Sequence, residues 1–184
     1  MPRVLVPLAQ GCEELEAVTI IDLLRRAGIE VITAGLDARP VTASRGTVLI
    51  PDTTLDEAAG QAFDMIALPG GLPGADQLAA DDRLVAQLRA QDAAGRYLAA
   101  ICAAPKVLAG AGLLDGRQAT GYPGAITTSD YPRVRFVDAP VVVDGTFVTS
   151  RGPGTAMDFA LELIEVLLGR AARDDVERGL ARTL

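Results

Sequence analysis

Val4-Leu5-Val6-Pro7-Leu8 is an unbroken apolar run, the pattern of a strand buried on both faces of a parallel sheet. Beyond it Leu15, Val18, Ile21 and Leu24, with Ala27 following, recur at helical spacing. Gly28 then stands where a helix commonly ends on glycine. Val31-Ile32-Thr33-Ala34 returns to strand character, so the chain opens as a βαβ unit with a right-handed crossover. The alternation recurs. Met65-Ile66-Ala67-Leu68 predicts a strand closed by Pro69-Gly70-Gly71, a polar helix is expected from about Asp82 to Asp92, and Tyr97-Leu98-Ala99-Ala100-Ile101 is the next strand. Pro105 suits the first turn of a helix that continues through Val107, Leu108 and Ala109. The stretch from Val141 to Thr149 predicts a hairpin with Asp144-Gly145 at its turn. Met157, Ala160, Leu161, Ile164, Leu167 and Leu168 form a final helical stripe that Gly169 closes. Short loops marked by glycine and proline join these elements. The pattern implies one α/β domain over residues 1–184, a doubly wound, mostly parallel sheet with helices on both faces. Residues 170–184 are expected to be a C-terminal helix or tail.

Composition narrows what such a domain does. Of the 184 residues, 49% are apolar and 22% charged, an ordinary balance for a water-exposed globular domain. The net charge is -7, and Arg170, Arg173, Arg178 and Arg182 alternate with acids rather than forming a basic patch, which argues against nucleic acid as a partner. The first apolar run is too short for a signal-peptide core, and nothing approaches the roughly twenty apolar residues of a membrane span, so a cytoplasmic location without membrane attachment is expected. Two cysteines do not make a disulfide scaffold; in a reducing compartment each is buried filler or a reactive thiol. Histidine is absent, which removes His-based triads, a Cys-His dyad and His metal ligands. No metal or cofactor is called for.

In open parallel sheets, sites form beyond the carboxyl ends of the strands, and three of these ends carry unusual residues. In Gly11-Cys12-Glu13-Glu14-Leu15-Glu16, three acids at a helix start are most simply charge compensation for the helix dipole. Glu16 differs because the apolar stripe begins around it, which gives its side chain the option of facing the sheet end, although taken alone it too reads as charge compensation. In Leu68-Pro69-Gly70-Gly71-Leu72-Pro73-Gly74, glycines let the backbone approach a ligand, and the Gly70 and Gly71 amides are placed to hold an anion or oxyanion. In Ala99-Ala100-Ile101-Cys102-Ala103-Ala104-Pro105, a cysteine stands between a strand and a helix among small neighbours, the setting of a nucleophile elbow. The first-turn amides of the helix favour a thiolate. Free cysteine is usually structural; the strand–Cys–helix context is what sets Cys102 apart, and Cys12 has no comparable support.

The stretches Gly11–Glu16, Leu68–Gly71, Ala100–Pro105 and Thr149-Ser150-Arg151-Gly152-Pro153-Gly154-Thr155 together resemble the ThiJ/PfpI superfamily, in its order and at its spacing, closest to the DJ-one and YajL branch. The likeness runs from about Val4 to Gly169, and Arg25-Arg26-Ala27-Gly28 and Ser44-Arg45 add to it. It implies a flavodoxin-like homodimer with Cys102 as nucleophile and oxidation-sensitive thiol. It further implies Glu16 as the acid that hydrogen-bonds the sulfur, and the Gly71 and Ala103 amides as an oxyanion pocket. Arg26 and Arg45 match basic residues near the family's site and dimer face. The activities implied are cofactor-independent glyoxalase, deglycase-type repair of glycated substrates and redox-dependent chaperoning, all part of stress defence.

One position departs from the pattern. Where the family commonly has histidine, in a Thr-x-His-Pro-like stretch, this chain has Tyr122 in Ala119-Thr120-Gly121-Tyr122-Pro123. A tyrosine hydroxyl, with an ordinary pKa of about 10, is no ready base at neutral pH, so proton transfer falls to Glu16. The expected substrate is a small reactive carbonyl such as a 2-oxoaldehyde. The alternative is an oxidation sensor or redox-regulated chaperone in which Cys102 becomes a sulfinate without turnover.

Overall fold

The computed structural model describes residues 1–182. In chain order it contains β1 (Arg3–Leu8), α1 (Glu14–Arg26), β2 (Glu30–Gly35), β3 (Val41–Thr42), β4 (Val48–Leu49), β5 (Thr53–Thr54), α2 (Leu55–Ala58), β6 (Met65–Leu68), α3 (Gly74–Ala80), α4 (Asp82–Ala93) and β7 (Tyr97–Ile101). These are followed by α5 (Pro105–Gly110), β8 (Gln118–Ala119), β9 (Arg135–Phe136), β10 (Val141–Asp144), β11 (Phe147–Ser150), α6 (Ala156–Leu168) and α7 (Arg170–Gly179). Of the stretch expected to be a C-terminal helix or tail, Arg170–Gly179 forms α7, while positions 183 and 184 lie outside the described residues.

One seven-stranded sheet runs in the order β10-β11-β7-β6-β1-β2-β5, and every pairing is parallel except β10 with β11. The period-2 geometry of β1 divides the core. Val4, Val6 and Leu8 point to a layer containing Ile20 and Leu24 of α1 and Phe159 and Ile164 of α6. Leu5 points to the opposite layer, with Leu84 and Leu88 of α4 and Val107 and Leu108 of α5. This is the doubly wound arrangement expected from the sequence. The hairpin also forms, with Asp144 opposite Phe147 and Gly145 taking the positive φ that the tight turn requires.

Two helical faces differ from expectation. In α1 the buried residues are Glu16, Ala17, Ile20, Leu23 and Leu24, whereas Leu15 and Val18 are 50% and 46% exposed. The helix is apolar on two sides, so periodicity could not select the inward one. Small Ala17 and a partnered Glu16 let the other side approach the sheet. In α6 Met157 and Leu168 are likewise exposed, and Phe159, Ala160, Leu163 and Ile164 make the core contact.

The strand order places the site. From β1 the chain moves one way to β2 and the other way to β6, and such a reversal leaves a crevice at the carboxyl ends of the strands. The loops after β1, β6 and β7 all open into it.

Candidate active site

Cys102 follows β7 directly and has φ +64°, a left-handed conformation that costs a non-glycine residue on the order of 1–3 kcal/mol. The surroundings hold it there. Its amide donates to the Ser150 carbonyl at 3.0 Å, and its carbonyl accepts the Tyr122 amide at 2.8 Å. The turn is possible only because its neighbours are small. A Cβ on Gly70 would stand 2.6 Å from the Cys102 Cβ and 2.8 Å from the Ile101 carbonyl oxygen. Gly71 has φ +89°, and a Cβ there would stand 2.4 Å from the Glu13 nitrogen. Both glycines are therefore structural requirements of the elbow, whatever they bind.

Glu16 enters from the first turn of α1 and is completely buried. Its Oε2 accepts the Gly70 amide at 2.8 Å. Its Oε1 is also buried and has no N–H or O–H partner among the described residues. The carboxyl faces the Cys102 thiol, and the two groups perturb one another. Burial pushes the Glu16 carboxyl up to about 7, against the lowering effect of its bond to the Gly70 amide and of the neighbouring thiol. Burial, then the negative charge of Glu16, pushes the Cys102 thiol up to about 12, while the Gly71 and Ala103 amides act in the opposite direction. The thiolate-favouring amides expected at the elbow are thus present but outweighed, first by burial and then by the Glu16 charge. Moving the proton to Glu16 removes that repulsion and turns the carboxyl into a donor toward the sulfur. The two groups therefore titrate as a coupled pair, and in the species with one proton between them it sits on either the thiol or the carboxyl.

Cys102 is 8% exposed, at a cavity of about 280 Å³ that Glu13, Ser44, Arg45, Gly71 and Tyr122 also line. Arg45 reaches it because Glu14 accepts the Arg45 amide at 3.0 Å and the Ser44 hydroxyl at 3.1 Å, fastening that loop to the start of α1. Arg26 does not line it; it lies at the far end of α1, paired with Asp22 at 2.8 Å. The Gly70 amide is turned to Glu16, which leaves those of Gly71 and Ala103 aimed at the sulfur. Glu13, expected only to offset the helix dipole, accepts the Ser44 hydroxyl at 2.8 Å and lines the cavity, as does Pro153. Their signal was positional: each lies in a loop following a parallel strand. Among the described residues no group of three or more Cys, Asp or Glu side chains is arranged to hold a metal ion. No described helix is long and apolar enough to cross a membrane.

Comparisons with known proteins agree with this fold. The model of the DJ-1/PfpI family matches residues 2–166. Protein dj-1beta of Drosophila melanogaster is 44% identical over 179 residues, covering 96% of this chain and 95% of the relative. The glutathione-independent glyoxalase DJR-1.2 of Caenorhabditis elegans is 35% identical over 162 residues, covering 87% and 85% of the two chains. The structure of oxidized Toxoplasma gondii DJ-1 superposes with a TM-score of 0.93 at 39% identity and covers 100% of both chains.

Proposed function

The chain belongs to the DJ-1/PfpI family, and from that premise we propose that it is a cofactor-independent enzyme acting through Cys102 on small reactive carbonyls, a glyoxalase or deglycase-like protein of stress defence. The observation that carries this reading is the elbow itself: a strained, slightly exposed cysteine between two inward-facing amides and a buried carboxyl of near-neutral pKa. A relative named as a glutathione-independent glyoxalase adds support.

The chemistry follows from these groups. With the shared proton on Glu16, the Cys102 thiolate adds to the aldehyde carbon of a 2-oxoaldehyde. The new oxyanion is held by the Gly71 and Ala103 amides and takes the Glu16 proton, giving a hemithioacetal. Glu16, now a carboxylate, removes the hydrogen from the former aldehyde carbon, forming an enediolate. It returns that proton to the neighbouring carbon while the hydroxyl proton passes from the first oxygen to the second, leaving a 2-hydroxy thioester. Water cleaves the thioester to a 2-hydroxy acid and restores the thiol. One carbon is oxidised and its neighbour reduced, so the atoms balance without an external electron carrier. Steady-state assay of Cys102→Ser on methylglyoxal is expected to show at least about a thousandfold loss of kcat/KM. Full activity in that variant would sink the reading.

A second reading is favoured by the orphaned Oε1 of Glu16. A protonated Glu16 and the same two amides form a cradle for a sulfinate made from the thiol by two equivalents of peroxide. Mass spectrometry after mild peroxide is expected to show two oxygens gained on Cys102 alone; equal oxidation of Cys12 counts against a sensor. For assembly, the exposed Leu15 and Val18 of α1, adjoined by Ile50, which is 83% exposed, favour a homodimer through this face.

A further inference from the structure

A second cavity of about 280 Å³ lies beside the one at Cys102, and Tyr122 is the residue common to both walls. Beyond the tyrosine, Ile126, Phe136 and Val137 make the second chamber largely apolar. The Arg151 there is paired with Asp138, so it offers no free charge. Tyr122 itself is held by its main chain: the amide bonds the Cys102 carbonyl at 2.8 Å, and the carbonyl accepts the Ala125 amide at 3.0 Å. The side chain is less constrained. It is 49% exposed, its hydroxyl has no hydrogen-bond partner among the described residues, and its ring edge lies over Gly152, where an added Cβ would come within 3.1 Å of Cδ2. Rotating this ring breaks no hydrogen bond and leaves the backbone around Cys102 in place.

We propose that Tyr122 is a movable partition within one elongated substrate cleft, and that the chamber behind it receives the apolar substituent of a carbonyl compound whose aldehyde reaches Cys102. This deepens the glyoxalase-like reading and rests on it. The substrates it selects are 2-oxoaldehydes with an aryl or branched alkyl group in place of a methyl. Gly152 is part of the device, because any side chain there would meet the tyrosine ring and fix it.

The test needs no turnover, so its outcome is separate from that of the enzymatic reading. Second-order rate constants for alkylation of Cys102 by iodoacetamide and by its N-phenyl analogue are measured by mass spectrometry, and their ratio cancels any change in the thiol itself. Val137→Trp, which fills the second chamber from an exposed position, is expected to lower the relative rate of the phenyl reagent about tenfold, the scale on which an apolar pocket rejects an oversized group. Tyr122→Ala is expected to raise it several-fold, and the double variant to lose that gain. A ratio that Val137→Trp leaves within twofold of wild type overturns the proposal. So does a Tyr122→Ala gain that survives in the double variant, since the phenyl group would then be lodged elsewhere.

Discussion

The two cysteines of this chain occupy similar ground and differ in access and in their neighbours. Both lie beyond the carboxyl ends of parallel strands, Cys12 after β1 and Cys102 after β7, and burial raises both thiols, to about 11 and about 12. Cys12 is fully enclosed; its amide bonds the Ala9 carbonyl at 3.1 Å and its carbonyl accepts the Ser44 amide at 2.8 Å. Around it, Gly71 and Gly74 pack so closely that a Cβ on either would stand 2.7 Å from Cys12 backbone atoms. Cys102 keeps a small opening into a cavity, two amides aimed at its sulfur and a buried carboxyl beside it, the proton partner of the proposed chemistry. What separates the two loops is access and a proton partner, since thiol acidity in the resting protein would not rank them.

The comparison breaks most sharply at the level of turnover. Against the thousandfold loss expected for Cys102→Ser, Cys12→Ala is expected to keep kcat/KM on methylglyoxal within about threefold and to cost on the order of 1 kcal/mol of stability for its small void. Comparable losses in the two variants would mean that the loop after β1 takes part in the chemistry.

The proton partner gives the next largest effect. A carboxyl whose pKa rises from 4.5 unfolded to about 7 folded stays protonated in the native state while the unfolded chain has already lost its proton. Stability therefore falls as pH rises from about 4.5 to 7, by roughly 3 kcal/mol in total, with the full penalty present above the folded value. Urea denaturation of Glu16→Gln at pH 5 and pH 8 is expected to show most of that slope removed. A slope equal to wild type would place the Glu16 proton elsewhere.

Sterics supply the smallest effect. Gly70→Ala drives a methyl group into the Cys102 Cβ and the Ile101 carbonyl, and is expected to cost about 2 kcal/mol, or roughly 4–8 °C in Tm by calorimetry. A Gly70→Ala protein that melts with wild type would show that the elbow tolerates more bulk than these contacts allow.

Much of this arrangement was legible beforehand because it is local. Unbroken apolar runs marked β1, β6 and β7, and small residues around Cys102 marked a cramped strand-to-helix turn. The inward face of α1 was not legible: Leu15 and Val18 continue a helical stripe as well as Ala17 and Ile20 do, and only packing on the sheet selects between them. Nor was the role of Gly70, whose amide bonds Glu16, whereas the Gly71 amide beside the sulfur was already implied by the family resemblance. Tyr122 was visible as a departure from a pattern, but its place between two cavities depends on segments distant in the chain, including Phe136 and Gly152.

By itself the amino-acid sequence determined the doubly wound fold, the order of its elements and the cysteine worth watching, because hydrophobic period, glycine placement and strand-to-helix turns are properties of short segments. The Glu16–Cys102 pairing was implied by resemblance alone; the complete burial of that carboxyl, its upward pKa shift and the sealing of Cys12 came only with the tertiary structure. Burial and cavities arise when loops from separate strands meet, and the free energy of a charge depends on everything that surrounds it.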